Sequence, residues 1–376
     1  MRIAFVANNL RDGGGKTVMA NFLPEFLELL GNTDHQILAV LPFKGAVACD
    51  FKNVELMHSP GSGTIGRFLW QKLAMEPAVR KFRPDWTFSM GNYAVNGLSG
   101  RQSVILHNSN IYSDFASSVG TSYWIETRAK QIQFENSLKS MDRLYFQTPV
   151  VERDFEKRFP NYAGKKAVID FFLPKEIYAK PAGTCANKRR GKTFDLIYPA
   201  HMSFHKNHKI IVDTFVKYRE ELSGVRCYLT LDKNWKGFPR ELYNTIVQNG
   251  LESSVIYTGF LPMGELFDLY EKCDALAMPT KLETLGIPYL EAMYFGLPIV
   301  TTDADFARAV CGGAALYCDT SSEESFRDAI LKLRDSPETA AELVEKGRAI
   351  ISEKVKSCRE IAAGILELEN IPFRRD

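Results

Sequence analysis

Short apolar runs alternate along this chain with longer stretches in which apolar residues recur every three or four positions. In the first half the runs are Ile3–Ala7, Gln36–Leu41, Val54–Met57, Trp86–Met90, Val104–His107, Leu144–Gln147 and Val168–Phe172. Each is of strand length. Val18, Met19, Phe22, Phe26, Leu29 and Leu30 repeat at helical spacing. They predict a helix from near Lys16, after a loop over Asn9 to Gly15, with Pro24 kinking it. Ile65–Phe82 and Ser122–Ser140 read as further helices. The second half repeats the scheme with strands at Phe194–Pro199, Val225–Leu231, Val255–Tyr257 and Ala275–Met278. A helix ends near Leu222, amphipathic helices run on from Glu323, and a last one covers about Ser357–Leu368. Strands separated by helices predict an α/β fold with parallel sheets flanked by helices.

One stretch organises the rest: Ala277 to Val300, AMPTKLETLGIPYLEAMYFGLPIV. A buried strand ends at Pro279 and a loop runs from Thr280 to Gly286. A helix follows with Pro288 in its first turn, Gly296 stops it, and Ile299-Val300 opens the next strand. In an open parallel sheet, ligands bind outside the carboxyl ends of the strands. A helix starting there presents unpaired N–H groups and a positive dipole end, which suits a phosphate. The backbone of Thr284, Leu285 and Gly286 is therefore placed to hold an anion. Glu283 and Glu291, eight residues apart, would repel a phosphate and suit sugar hydroxyls instead.

A length of 376 residues exceeds one ordinary core and fits two domains. We expect an N-terminal domain over 1–174, an exposed linker over 175–192 and a C-terminal domain over 193–356, with the end of the chain, about 357–376, packing back on the first domain. A formal charge of +2 argues against wholesale nucleic-acid binding. Seven scattered cysteines without a C-x-x-C pair suit a reducing compartment and offer no zinc spacing. No secretory leader or spanning segment stands out, so a cytoplasmic protein is expected. The basic run Lys188-Arg189-Arg190 reads as solvated surface, with anionic lipid as the sharper alternative. Gly13-Gly14-Gly15-Lys16-Thr17 is not a P-loop, because Leu10 stands where the motif needs its first Gly.

The pattern P-T-x-x-E-x-x-G-x-x-x-x-E-A-x-x-x-G-x-P over Pro279–Pro298 resembles the signature of the retaining glycosyltransferases of family 4. That resemblance implies the GT-B fold, two Rossmann-like domains with parallel sheets facing a cleft. It implies that Glu283 contacts the donor sugar and Glu291 the ribose. Gly14 and Gly15 would face the donor phosphates, His107 would line the sugar site, and Gly259-Phe260 would lie near the nucleotide base. Lys206 matches the family lysine that neutralises the pyrophosphate. The family's usual Gly-Arg is Ala200-His201 here, exchanging a permanent planar charge for a titratable ring; His205 or Asn207 is expected to compensate. Asn108 and Ser109 are weaker candidates. The implied reaction moves a hexosyl group, with retention and without a metal or other cofactor, from a UDP- or GDP-sugar to a glycan or lipid-linked saccharide. The setting would be bacterial surface polysaccharide synthesis, possible at the inner face of the membrane. Asp303-Ala304-Asp305 reads as a loop and helix cap rather than as metal ligands. A sugar-nucleotide epimerase and a non-catalytic sugar-nucleotide-binding subunit remain as alternatives.

Overall fold

A computed structural model of the chain describes residues 1–11, 13–61, 63–185 and 192–374. It divides into two compact units, Met1–Phe171 with Lys356–Asp376, and Phe172–Val355.

The first unit holds seven parallel strands: β1 (Arg2–Val6), β2 (Gln36–Leu41), β3 (Val54–His58), β4 (Trp86–Ser89), β5 (Arg101–Ile105), β6 (Arg143–Phe146) and β7 (Lys165–Val168), in the order β3-β2-β1-β4-β5-β6-β7. β1, β2, β4 and β5 are buried after their first residues, as strands covered on both faces must be. One face packs Ala4, Val6, Leu38 and Val40 against Met75 and Val79. The last strand differs from expectation. It lies at Lys165–Val168 rather than Val168–Phe172, because this edge strand is mostly exposed and needs no apolar run. The helix Ile65–Phe82 is in fact three segments, Thr64–Trp70, a π-helical turn Gln71–Met75 and Glu76–Phe82. The helix Cys358–Leu368 opens with a capping box between Ser357 and Glu360. Glu369, just beyond it, is buried at 3% exposure. Its carboxylate accepts from Ser103 Oγ (2.6 Å) and Tyr145 Oη (2.8 Å) and faces Arg143 Nε at 3.0 Å.

The second unit holds β8 (Phe194–Tyr198), β9 (Val225–Leu229), β10 (Val255–Tyr257), β11 (Ala275–Met278), β12 (Ile299–Thr302) and β13 (Ala315–Cys318), parallel, in the order β10-β9-β8-β11-β12-β13. Strand order reverses between β8 and β11, so the loops leaving those two strands open beside each other at the carboxyl edge. β13 was not anticipated, since AALYC is too short and mixed to stand out. The helix expected to reach Leu222 ends at Lys217. Cys227 and Cys273 are fully buried small core residues. Residues 175–185, expected as exposed linker, are mostly exposed and are grouped with the second unit. Ile177 is fully buried, and the N–H groups of Gly183 and Cys185 donate to Tyr294 and Phe295 carbonyls at 2.7 and 2.9 Å. Those carbonyls lie at the end of the helix Ile287–Phe295, where they have no partner within the helix. Residues 186–191, which include Lys188-Arg189-Arg190, lie outside the described residues. Among the described residues no helix is long and apolar enough to cross a membrane.

Candidate active site

The loop leaving β8 and the loop leaving β11 meet through an ion pair: Lys206 Nζ stands 2.5 Å from Glu283 Oε1. The two side chains are only 14% and 11% exposed. The backbone around them is pinned. Tyr198 Oη donates to the Lys206 carbonyl (2.8 Å), while the Lys281 N–H and Thr280 Oγ1 donate to the His205 carbonyl at 2.7 and 3.2 Å. Seventy-seven positions separate this lysine from this carboxylate in sequence, and the strand order brings them together.

Gly286 ends the second loop and caps the helix Ile287–Phe295 at φ +70°. That left-handed backbone favours glycine. A Cβ there would also stand 2.7 Å from the Tyr289 ring. Tyr289 is fixed in turn by its hydroxyl, 2.7 Å from Thr301 Oγ1. Among the described residues the Leu285 and Gly286 N–H groups have no acceptor. Two N–H donors at a helix start are the kind of group that can receive an anion. Glu291 lies one turn into the helix, 4% exposed, and accepts from Tyr270 Oη at 2.8 Å. Burial pushes its carboxyl up to about 7, against the pull of the Tyr270 hydrogen bond. A carboxyl held so reluctantly as an anion gains from any further hydroxyl donor.

The histidines divide by environment. His205 is held neutral, its ring lowered to about 3 by burial and then by the Lys206 charge, and its Nδ1 lies 2.8 Å from Ser203 Oγ. His208 is fully buried, lowered to about 3 for the same first reason, and donates from Nε2 to the Ala200 carbonyl at 3.3 Å. Asn207 turns its amide to the Pro279 and Thr320 carbonyls at 3.2 and 3.0 Å. Neither His205 nor Asn207 thus carries a charge here to match that of the missing arginine. His201 is exposed. Gly259 is at φ +77° and donates to the Leu231 carbonyl at 3.0 Å, while Phe260 beyond it is 81% exposed at the end of β10. Asp303 pairs with Arg308 at 2.6 Å, and the helix Asp305–Cys311 has no side-chain cap, so the expected capping by this D-x-D is not made.

In the first unit Gly14 and Gly15 lie in the first turn of a helix, Gly13–Leu30, not in the loop expected to run up to Lys16. The helix continues past Pro24. Gly15 is closely approached, since a Cβ would stand 2.9 Å from Leu10 Cδ2 and 3.0 Å from His107 Nε2, whereas Gly14 faces open space. Asn92 Oδ1 accepts from the His107 N–H (2.8 Å), which turns Asn92 Nδ2 toward His107 Nε2 (3.2 Å). Burial lowers the ring to about 4. The imidazole is thus neutral, with Nε2 accepting and its proton on Nδ1. Sequence reasoning missed Asn92. Its signal, a lone Asn two residues beyond a strand, is weak, although asparagine suits its φ of +68°. Asn108 caps a short 3-10 turn through its own side chain, and Ser109 is buried.

These features define an α/β protein of two Rossmann-like units in the GT-B class. The fold is similar over 98% of the chain to sucrose-phosphate synthase from Thermosynechococcus elongatus (TM-score 0.77, 14% identity, 98% of that chain). It is also similar to Anabaena Alr3699/HepE in complex with UDP-glucose (TM-score 0.71, 18% identity, 98% of this chain and 99% of that one). Residues 186–350 match the family model for glycosyl transferases group 1. A curated relative, the O-antigen chain mannosyltransferase RfbU of Salmonella typhimurium, is 30% identical over 101 residues, 27% of this chain and 29% of its own. The chain spans between 28% and 45% of the length of the curated relatives it matches.

Proposed function

We propose that the chain is a retaining hexosyltransferase that takes a UDP- or GDP-sugar as donor and a glycan or lipid-linked saccharide as acceptor. The observation that carries this reading is the meeting of Lys206 and Glu283 beside the helix start at Gly286, within the group 1 segment. Lys206 and the Leu285 and Gly286 N–H groups would hold the diphosphate and stabilise the charge it gains on leaving. Glu283 would leave the lysine and accept from the donor sugar. Glu291, buried and short of donors, would take the ribose hydroxyls. In this reading the acceptor falls to the first unit, where Asn92 fixes the neutral His107 ring. Retention follows if the acceptor attacks the face that the diphosphate leaves, the donor's own phosphate helping to remove the acceptor proton. Metal independence belongs to the same proposal, since protein groups take the cation's electrostatic part. Relatives named as O-antigen chain mannosyltransferases support a part in surface polysaccharide synthesis, and a place at the inner face of a membrane belongs to the same proposal.

A thermal-shift screen against UDP-, GDP-, ADP- and dTDP-sugars tests the donor. A ligand at a hundred times its dissociation constant stabilises by about 2.7 kcal/mol. We expect a shift with a uridine or guanosine donor that is lost in Lys206→Ala. No shift with any of the four refutes the reading.

A further inference from the structure

We infer that Asn207 is a positioning residue for transfer: its side-chain amide sets the spacing between Lys206 and the loop that carries Glu283. The inference rests on the proposed diphosphate role of Lys206.

Asn207 is one of few non-glycine residues at positive φ, +54°, which asparagine tolerates better than most. This backbone turn lets the chain pass from the short 3-10 turn Phe204–Lys206 into the helix His208–Lys217. It also aims the amide across the sheet edge. One amide group donates to two carbonyls, Pro279 O at 3.2 Å and Thr320 O at 3.0 Å. Pro279 leaves β11 and Thr320 follows β13, so both carbonyls lie beyond the ladders that would otherwise satisfy them. Three loops are therefore joined at one side chain adjacent in sequence to the lysine, and the Pro279 carbonyl it holds lies four residues before Glu283. From the sheet side, Thr302 Oγ1 lies 2.6 Å from the Thr280 carbonyl and 2.9 Å from Thr320 Oγ1. A lysine side chain is flexible, so its ammonium is only as well placed as its backbone is held. Near-attack geometry is lost with displacements of about 1 Å.

Asn207→Gly keeps the left-handed turn and removes both hydrogen bonds. Titration calorimetry of the full chain with UDP and with GDP separates positioning from mere structural support. A structural role lowers the number of sites, because fewer molecules are folded, and leaves the dissociation constant of the rest unchanged. Positioning keeps one site per chain and weakens binding roughly tenfold, with kcat falling by a similar factor. Thr302→Val, nearly the same shape, serves if the glycine variant does not fold; it should weaken binding in the same sense and by less. Unchanged dissociation constants in the folded variant overturn the inference while leaving the proposed function standing. A wild-type chain that binds neither diphosphate overturns both.

Discussion

Replacing Glu291 by glutamine should make the second unit more stable above neutral pH and remove most of its pH dependence between 5 and 8. The carboxyl is 4% exposed, with Tyr270 Oη as its hydrogen-bond donor at 2.8 Å. Burial raises it from 4.5 to about 7 in the folded state. Between those values the folded chain binds more protons than the unfolded one, so stability falls as pH rises. Each unit of difference is 1.36 kcal/mol, so ionising Glu291 costs about 3 kcal/mol once pH exceeds 7. Glutamine keeps an oxygen for Tyr270 and never ionises. Urea midpoints of wild type and Glu291→Gln, measured at pH 5 and pH 8, should diverge at pH 8 in favour of the variant. In a unit of this size the gap corresponds to about 6–12 °C in Tm. Curves that run parallel across this range would show that the carboxylate is already stabilised in the folded state, and the account of a donor-starved Glu291 would be wrong.

Other outcomes follow from the same geometry. If ribose hydroxyls reach Glu291, donor binding at pH 7 releases protons, and calorimetric enthalpies should differ between buffers of different ionisation heat; equal enthalpies count against the contact. Glu283→Gln should leave nucleotide affinity within a few-fold and slow transfer roughly ten- to a hundredfold, the worth of a charged hydrogen bond; an unchanged kcat removes Glu283 from the chemistry. Gly286→Ala places a Cβ against the Tyr289 ring at φ +70° and should cost about 1–3 kcal/mol; a neutral effect on the urea midpoint contradicts the argument for glycine there. Glu369→Ala strands Arg143 and two buried hydroxyls, and should destabilise the first unit by about 3 kcal/mol or more; a loss below 1 kcal/mol would mean that this carboxylate does not hold the end of the chain. Activity should survive excess EDTA, and a loss restored by manganese would end the claim of metal independence.

The strand–loop–helix unit over Ala275–Phe295 was legible because its signals agree: an apolar strand, Gly at both ends of the helix and Pro in the first turn. Lys206 and Glu283 were each legible as candidates, but their meeting was not, because it depends on the strand order at the β8–β11 boundary. The start of the first helix was misjudged because three glycines read as a loop, whereas the third packs closely against Leu10 and His107. The exposure of residues 175–185 was legible from Pro, Gly and Lys, but their attachment to the second unit was not. The Gly183 and Cys185 N–H groups find the unpaired carbonyls at the end of a helix, which composition does not reveal. Edge strands β7 and β13 lack the doubly buried apolar pattern that marked the central ones.

The most direct test of the central claim is the fate of the nucleotide. The chain is incubated with the donor that stabilises it and with an acceptor extract, and the nucleotide products are resolved by mass spectrometry. The account predicts that nucleoside diphosphate, not monophosphate, accumulates together with a glycosylated product, and that Lys206→Ala slows its release roughly a hundredfold. Release from no donor, or an unchanged rate in Lys206→Ala, would contradict it.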